Sequence, residues 1–157
     1  MIEKAKEKVC YLINFLSIAL YFFLVSILEA HFEIAVFRYL GWILLAFGLL
    51  LIISSTLALI RKNIKKLIED GIYGFIRHPM YLGVILIFFS WIFFFPHWII
   101  FLLSSLNIGV MYWFILQGER QNIDKFGEEY KRYMQAVPRI NILGGIYKRL
   151  RGSHHSW

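Results

Sequence analysis

The chain has 157 residues, room for one domain, and 59% of them are hydrophobic, with a mean hydropathy of +0.62. A water-soluble fold of this length cannot hide so much apolar surface, so an ordinary soluble globule is excluded and lipid is the expected solvent. The formal charge is +7 and Cys10 is the single cysteine; an intrachain disulfide is excluded, and the meaning of the charge depends on where it lies.

In chain order, Val9–Leu28 is the first predicted element, twenty residues without a charge and long enough to cross ~30 Å of hydrocarbon. Its approach through Lys4, Lys6 and Lys8 is like that of a signal peptide. The apolar run is too long for one, however, and Leu28-Glu29-Ala30 is not a small-x-small cleavage site, so a membrane anchor is expected. Cys10 within it reads as an apolar-phase residue. Tyr39–Ile60 is the second span, with thirteen Leu, Ile or Phe that favour insertion by roughly 4 to 8 kcal/mol before polar corrections. The third runs from Pro79 to Phe95. Pro96-His97 then turns the chain into the fourth, Trp98–Gln117, and so short a connection predicts an antiparallel hairpin of helices three and four. Asn107, polar in the middle of the fourth span, suits an interhelical hydrogen bond, and Trp42, Trp98 and Trp113 suit interfacial belts.

The basic residues can now be placed. Three precede the first span, five lie between the second and third (Arg61, Lys62, Lys65, Lys66, Arg77), eight follow the fourth, and Arg38 alone occupies the first connection. Sixteen of the seventeen therefore share one side of a four-crossing chain. That is the positive-inside pattern, with a multi-pass protein and both termini cytoplasmic. It accounts for the charge through membrane orientation and anionic lipid, with no nucleic-acid partner. The fold class read here is an all-α membrane protein. Four transmembrane helices lead into a cytoplasmic segment, residues 118–157, with an amphipathic helix, and the whole of 1–157 forms one domain.

Polar chemistry collects at the cytoplasmic boundary. Gly71 and Gly74 permit turns, Pro79 suits the first turn of helix three, and His78 before it is pushed toward an extended conformation. Arg77 and His78 thus project at a helix N-terminus, where an anion is favoured; alone, such a pair more often just anchors a helix end among lipid phosphates. Glu119, just after the fourth span, is placed at a helix C-terminus. The dipole opposes it there, so water or a cation must compensate. Ile123, Phe126, Tyr130, Tyr133 and Val137 form one face of an amphipathic helix, with Gly127 marking a kink or a close backbone approach and Pro138 ending it. This helix is suited either to lie on the membrane or to cover a pocket. His154-His155 lacks further ligands at suitable spacing, so no metal is expected. Residues 151–155 resemble an expression scar.

The stretch G-x-Y-x-x-x-R-H-P-x-Y-x-G at 71–83 resembles the signature of the integral-membrane methyltransferases that include isoprenylcysteine carboxyl methyltransferases and phospholipid methyltransferases. A hydrophobic hairpin follows it, then Glu119, Phe126-Gly127-x-x-Tyr130-x-x-Tyr133 and Val137-Pro138-Arg139. The likeness covers residues 68–140. It implies S-adenosylmethionine as donor and a membrane lipid or prenylated small molecule as acceptor. By motif position, Glu119 meets the cofactor's ammonium, Arg77 and His78 meet its carboxylate, Tyr73 and Tyr81 offer hydroxyls and ring faces, and Arg139 closes the site or orients the acceptor. Arg77, His78 and Arg139 are the catalytic candidates, with His78 the nearest base if the acceptor is an amine. The family pattern has an acidic pair where this chain has Gly118-Glu119, and a proline after Val-Pro-Arg that is missing here. The rival reading is a non-catalytic four-helix scaffold that kept the fold.

Overall fold

The structure, a computed structural model, describes residues 2–27, 35–61 and 67–152. Leu28, Lys62, Lys65, Lys66, His154 and His155, all of which entered the sequence reading, lie outside the described residues. The described chain is helical throughout: α1 (Ile2–Ile27), α2 (Ala35–Arg61), a 3-10 turn (Gly71–Gly74), α3 (Pro79–Phe94), α4 (Trp98–Phe126), α5 (Glu128–Ala136) and α6 (Ile142–Gly152). Two of these, α2 and α4, are long and apolar enough to cross a membrane; α3 and the stretch Lys8–Tyr21 are shorter apolar helices.

Three boundaries differ from expectation. The fourth helix does not stop at Gln117 but continues to Phe126. The amphipathic helix predicted across 123–137 is divided at Gly127, whose φ of +57° ends α4 and starts α5. A side chain is strained at that angle, which is why glycine serves there. The third departure is α6, for which the sequence reading held no helix: Gly144-Gly145 at its start weakens the local signal.

The chain divides into two compact units. The first comprises the residues up to Phe47 together with Ile85–Trp113. Its interior holds a neutral polar network. Asn107 Oδ1 accepts from Asn14 Nδ2 at 3.0 Å and from Ser17 Oγ at 2.7 Å, while Asn107 Nδ2 donates to the Leu103 carbonyl at 2.8 Å. Ser104 donates to the Phe88 carbonyl at 3.0 Å across the hairpin of α3 and α4, and the Tyr21 hydroxyl meets Ser104. Asn107 thus makes the interhelical bond expected of it, to two residues of α1. At Gly41 a Cβ would come within 2.8 Å of the Phe94 ring, which packs edge-on against Trp42. Phe15, Trp42, Leu102 and many other apolar side chains remain exposed, a costly arrangement in water that lipid would relieve.

The second unit comprises Gly48–Val84 and the chain from Phe114 onward. At Gly83 a Cβ would lie 2.6 Å from the Gly48 carbonyl oxygen and 2.7 Å from Ile52 Cγ1, so α3 meets the backbone of α2 directly. Small residues allow this kind of approach between apolar helices. Tyr130, Tyr133 and Val137 form a buried cluster against Leu67, Ile123, Phe126 and Met134. The amphipathic face read from the sequence is therefore the buried one, although the helix that carries it is broken.

Candidate active site

The polar groups of the second unit converge because the chain holds them from three directions. Gly71, with φ +62°, begins the 3-10 turn; Ile76 is buried completely, and Arg77 and His78 follow it. Pro79 then opens α3, as its fixed φ and missing N–H suit. The His78 carbonyl accepts the first helical bond, from Leu82 N at 3.0 Å. Two backbone bonds tie this corner to the segment after α5: Arg77 N donates to the Pro138 carbonyl at 3.0 Å and His78 N to the Arg139 carbonyl at 3.2 Å. Val137-Pro138-Arg139 is thus drawn alongside the Arg77-His78 corner. The third contributor is Glu119 of α4.

Glu119 is the hub. Its Oε1 accepts from Arg77 Nη2 at 3.0 Å, Arg139 Nε at 3.0 Å and His78 Nε2 at 3.3 Å; its Oε2 accepts from Arg139 Nη2 at 2.6 Å. Arg77, His78 and Glu119 are buried, while Arg139 is about a third exposed. Glu119 does not stand at a helix C-terminus as the sequence suggested, since α4 continues past it. The compensation foreseen for its charge comes from cations in direct contact.

Burial alone would raise the Glu119 carboxyl, but the hydrogen bond from Arg139 and the charges of Arg77 and Arg139 outweigh it, and the pKa falls. His78 moves the other way from an ordinary imidazole in a salt bridge. Burial pulls it down to about 4 despite the pull of Glu119, helped by the charges of Arg77 and Arg139. At neutral pH, then, an ionised Glu119 accepts from a neutral His78, which places the ring proton on Nε2 and a lone pair on Nδ1.

Beside this cluster lies a cavity of about 230 Å³, lined by Tyr73, Arg77, His78, Tyr81, Asn122, Tyr130 and Tyr133 among apolar neighbours that include Leu59, Leu67, Met80 and Phe126. Four of the sequence-predicted residues, Tyr73, Arg77, His78 and Tyr81, share its wall. Glu119 and Arg139 do not line it; they stand behind Arg77 and His78. Tyr81 packs edge-on against the His78 ring at 5.8 Å. The Tyr133 hydroxyl donates to the Tyr73 carbonyl at 2.6 Å, and burial holds Tyr73 up to about 12, so both present as neutral phenols. Asn122, which bonds the Tyr130 hydroxyl, and Lys125 are wall residues that the sequence reading missed. Asn122 lies one residue before Ile123 in the same helical pattern, and nothing in its spacing marks it as facing a cavity.

One feature of the wall is chemically unfinished. Arg77 Nε and Nη1 are buried without a hydrogen-bond partner, the sole such side-chain atoms among the described residues. A buried guanidinium N–H is costly to leave unpaired, and the residue that carries these two spare donors lines the cavity, a combination that suits an oxyanion ligand able to reach them. Among the described residues the wall carries no carboxylate.

Two helices long and apolar enough to cross a membrane thus accompany a cavity that brings aromatic rings together with Arg77 and His78. A family model for phospholipid methyltransferases matches residues 36–129, more than half of the sequence, and the chain belongs to that family. The family is one of methyltransferases acting on membrane lipid-related substrates, and it generally uses S-adenosylmethionine. No curated protein and no solved structure gives a significant match to the chain.

Proposed function

We propose that the chain transfers a methyl group from S-adenosylmethionine to a lipid-like acceptor at the cytoplasmic membrane boundary. The observation that carries the reading is Arg77: a buried cation, held on one side by Glu119, that lines an aromatic cavity and keeps two donors unspent. An α-carboxylate suits those donors, and the hydroxyls and rings of Tyr73, Tyr81 and Tyr130 suit a ribose, a purine or a sulfonium. When bound, the cofactor supplies an electrophilic methyl group on sulfur. The protein's part is position and electrostatics, since an in-line displacement needs little else.

Glu119 acts in this scheme as a positioning residue rather than as the direct partner of the cofactor's ammonium. It fixes Arg77 and holds His78 in one tautomer. For the ammonium the wall offers neutral acceptors, the Asn122 amide oxygen and the phenol oxygens. Arg139, the most exposed member of the cluster, stands outside the cavity wall, and its proposed part, closing the site or orienting the acceptor, rests on the family resemblance and on that exposure. The acceptor is a prenylcysteine-like carboxylate or a lipid amine. A carboxylate needs no base, whereas an amine must first lose a proton, and His78, with its pKa near 4, is a weak base for that step. The membrane arrangement proposed is four spans with both termini cytoplasmic and the chain as one functional domain, as the distribution of basic residues supports.

The test is incubation of the purified protein with methyl-labelled S-adenosylmethionine and membrane lipid extract. Label in the lipid fraction is the expected outcome. Loss of that label on mild base marks a methyl ester and its retention marks an N-methyl group. No transfer, together with no calorimetric binding of S-adenosylmethionine or its demethylated product, would leave the non-catalytic scaffold as the reading.

A further inference from the structure

The last helix is built the wrong way round for water. In α6, Leu143, Ile146, Tyr147 and Leu150 fall within an arc of about 100° at 3.6 residues per turn, and all four are exposed, Leu143 at 79% and Leu150 at 66%. The opposite side carries Gly144, Gly145 and Lys148, and it is this side that meets the rest of the unit. A Cβ at Gly145 would lie 1.9 Å from the Phe75 carbonyl oxygen, so the helix backbone is seated directly on the loop that leads to Arg77. Lys148 Nζ donates to the Gln135 carbonyl at 2.9 Å at the end of α5. The start of the helix is also fixed: Asn141 Oδ1 accepts from Gly144 N at 2.9 Å, so Asn141 caps the helix. Its glycine and lysine side therefore faces the protein and its leucine, isoleucine and tyrosine side faces outward.

We infer that α6 is an in-plane membrane helix whose Leu143–Leu150 stripe is inserted into the interface of a bilayer containing anionic lipid. Three observations select that occupant. The helix sequence combines its apolar residues with Arg149 and Arg151 besides the inward-facing Lys148, a composition suited to a helix that lies on an anionic surface. The chain as a whole is basic, at +7. Helices α2 and α4 are long and apolar enough to cross a bilayer, so one is at hand in the membrane reading of the chain. The amphipathic face of α5, which the sequence left open between membrane and pocket, is buried over the cavity, so the membrane role falls to α6. Through Gly145 and Phe75 the bilayer then braces the loop that positions Arg77 and His78. The inference rests on the membrane reading of the chain and is independent of methyl transfer.

The experiment uses the full chain with Cys10→Ser and a single new cysteine at Leu143, at Leu150 or, as control, at Glu128, whose side chain is 78% exposed. Each is labelled with an environment-sensitive fluorophore and reconstituted into phosphatidylcholine vesicles with and without phosphatidylglycerol. Spin-labelled lipid is expected to quench the Leu143 and Leu150 positions about threefold more strongly than Glu128, and aqueous iodide to quench them less, as for a helix at acyl-boundary depth. Phosphatidylglycerol should strengthen the lipid quenching. Iodide quenching at Leu143 and Leu150 equal to that at Glu128 would overturn the inference. So would a disulfide joining two copies through the Leu143 position, which would assign the stripe to a second chain. Indifference to phosphatidylglycerol would overturn the anionic part.

Discussion

The two units bury polar groups in opposite styles. In the first, Asn14, Ser17, Tyr21, Ser104 and Asn107 are all neutral, and their bonds link one helix to another. In the second, Arg77, Glu119 and Arg139 are charged, His78 is neutral among them, and two Arg77 nitrogens remain unpaired. A neutral network whose partners are all internal suits structure, because nothing in it calls for a further ligand. A buried cation with donors to spare suits a binding site, since the group that completes it gains what the empty protein forgoes. The first style holds helices together, and the second is the one on which the proposed ligand site rests.

Breaking each network in turn should expose the difference. The largest effect is expected from Glu119→Gln, which leaves Arg77 buried without its counter-charge and is expected to cost about 3 kcal/mol in thermal unfolding of the detergent-solubilised protein. Acid should act on the same cluster with a predictable sign. Because the folded His78 pKa lies near 4, below the ordinary 6.5, the unfolded chain takes up that proton first. Stability is therefore expected to fall from about pH 6.5 to about pH 4, by no more than about 3 kcal/mol. Glu119, depressed as well, adds a further loss as pH drops through its folded value. His78→Gln should flatten the upper part of that pH–stability curve and leave the lower part. In the first unit, Asn107→Leu removes neutral interhelical bonds and should cost only about 1 kcal/mol, with cofactor binding unchanged. The smallest effect belongs to Gly118→Ala: a Cβ there meets nothing within 4 Å, and α4 should gain up to about 1 kcal/mol in melting experiments without harm to the Glu119 cluster.

Much of this arrangement was legible in the residues themselves. The Pro96-His97 turn returns the chain, and it is this return that lets Glu119 reach Arg77 and His78. The 3,4 spacing from Ile123 to Val137 marked the amphipathic face, without deciding between membrane and pocket, and Asn107 announced itself as a polar group in an apolar helix. Other features have no one-dimensional trace. That Glu119 is saturated depends on Arg139 folding back beside the Arg77-His78 corner, which in turn depends on two backbone bonds, from Arg77 to Pro138 and from His78 to Arg139. Spacing cannot show which of several arginines a carboxylate will meet. The helix α6 was missed because its two glycines lower its intrinsic propensity, while the contact that needs one of them, Gly145 on Phe75, is made across seventy residues of chain. Asn122 joined the wall through the rotation of α4, which polarity alone does not fix.

The sharpest test concerns the unspent donors of Arg77. Calorimetric titration of the wild-type protein with S-adenosylmethionine and with its decarboxylated analogue compares two ligands that differ in one carboxylate. If that carboxylate sits on Arg77, the analogue should bind about 10- to 100-fold more weakly, and Arg77→Met should bring the two affinities together. Equal affinities of the wild-type protein for both ligands would contradict the assignment.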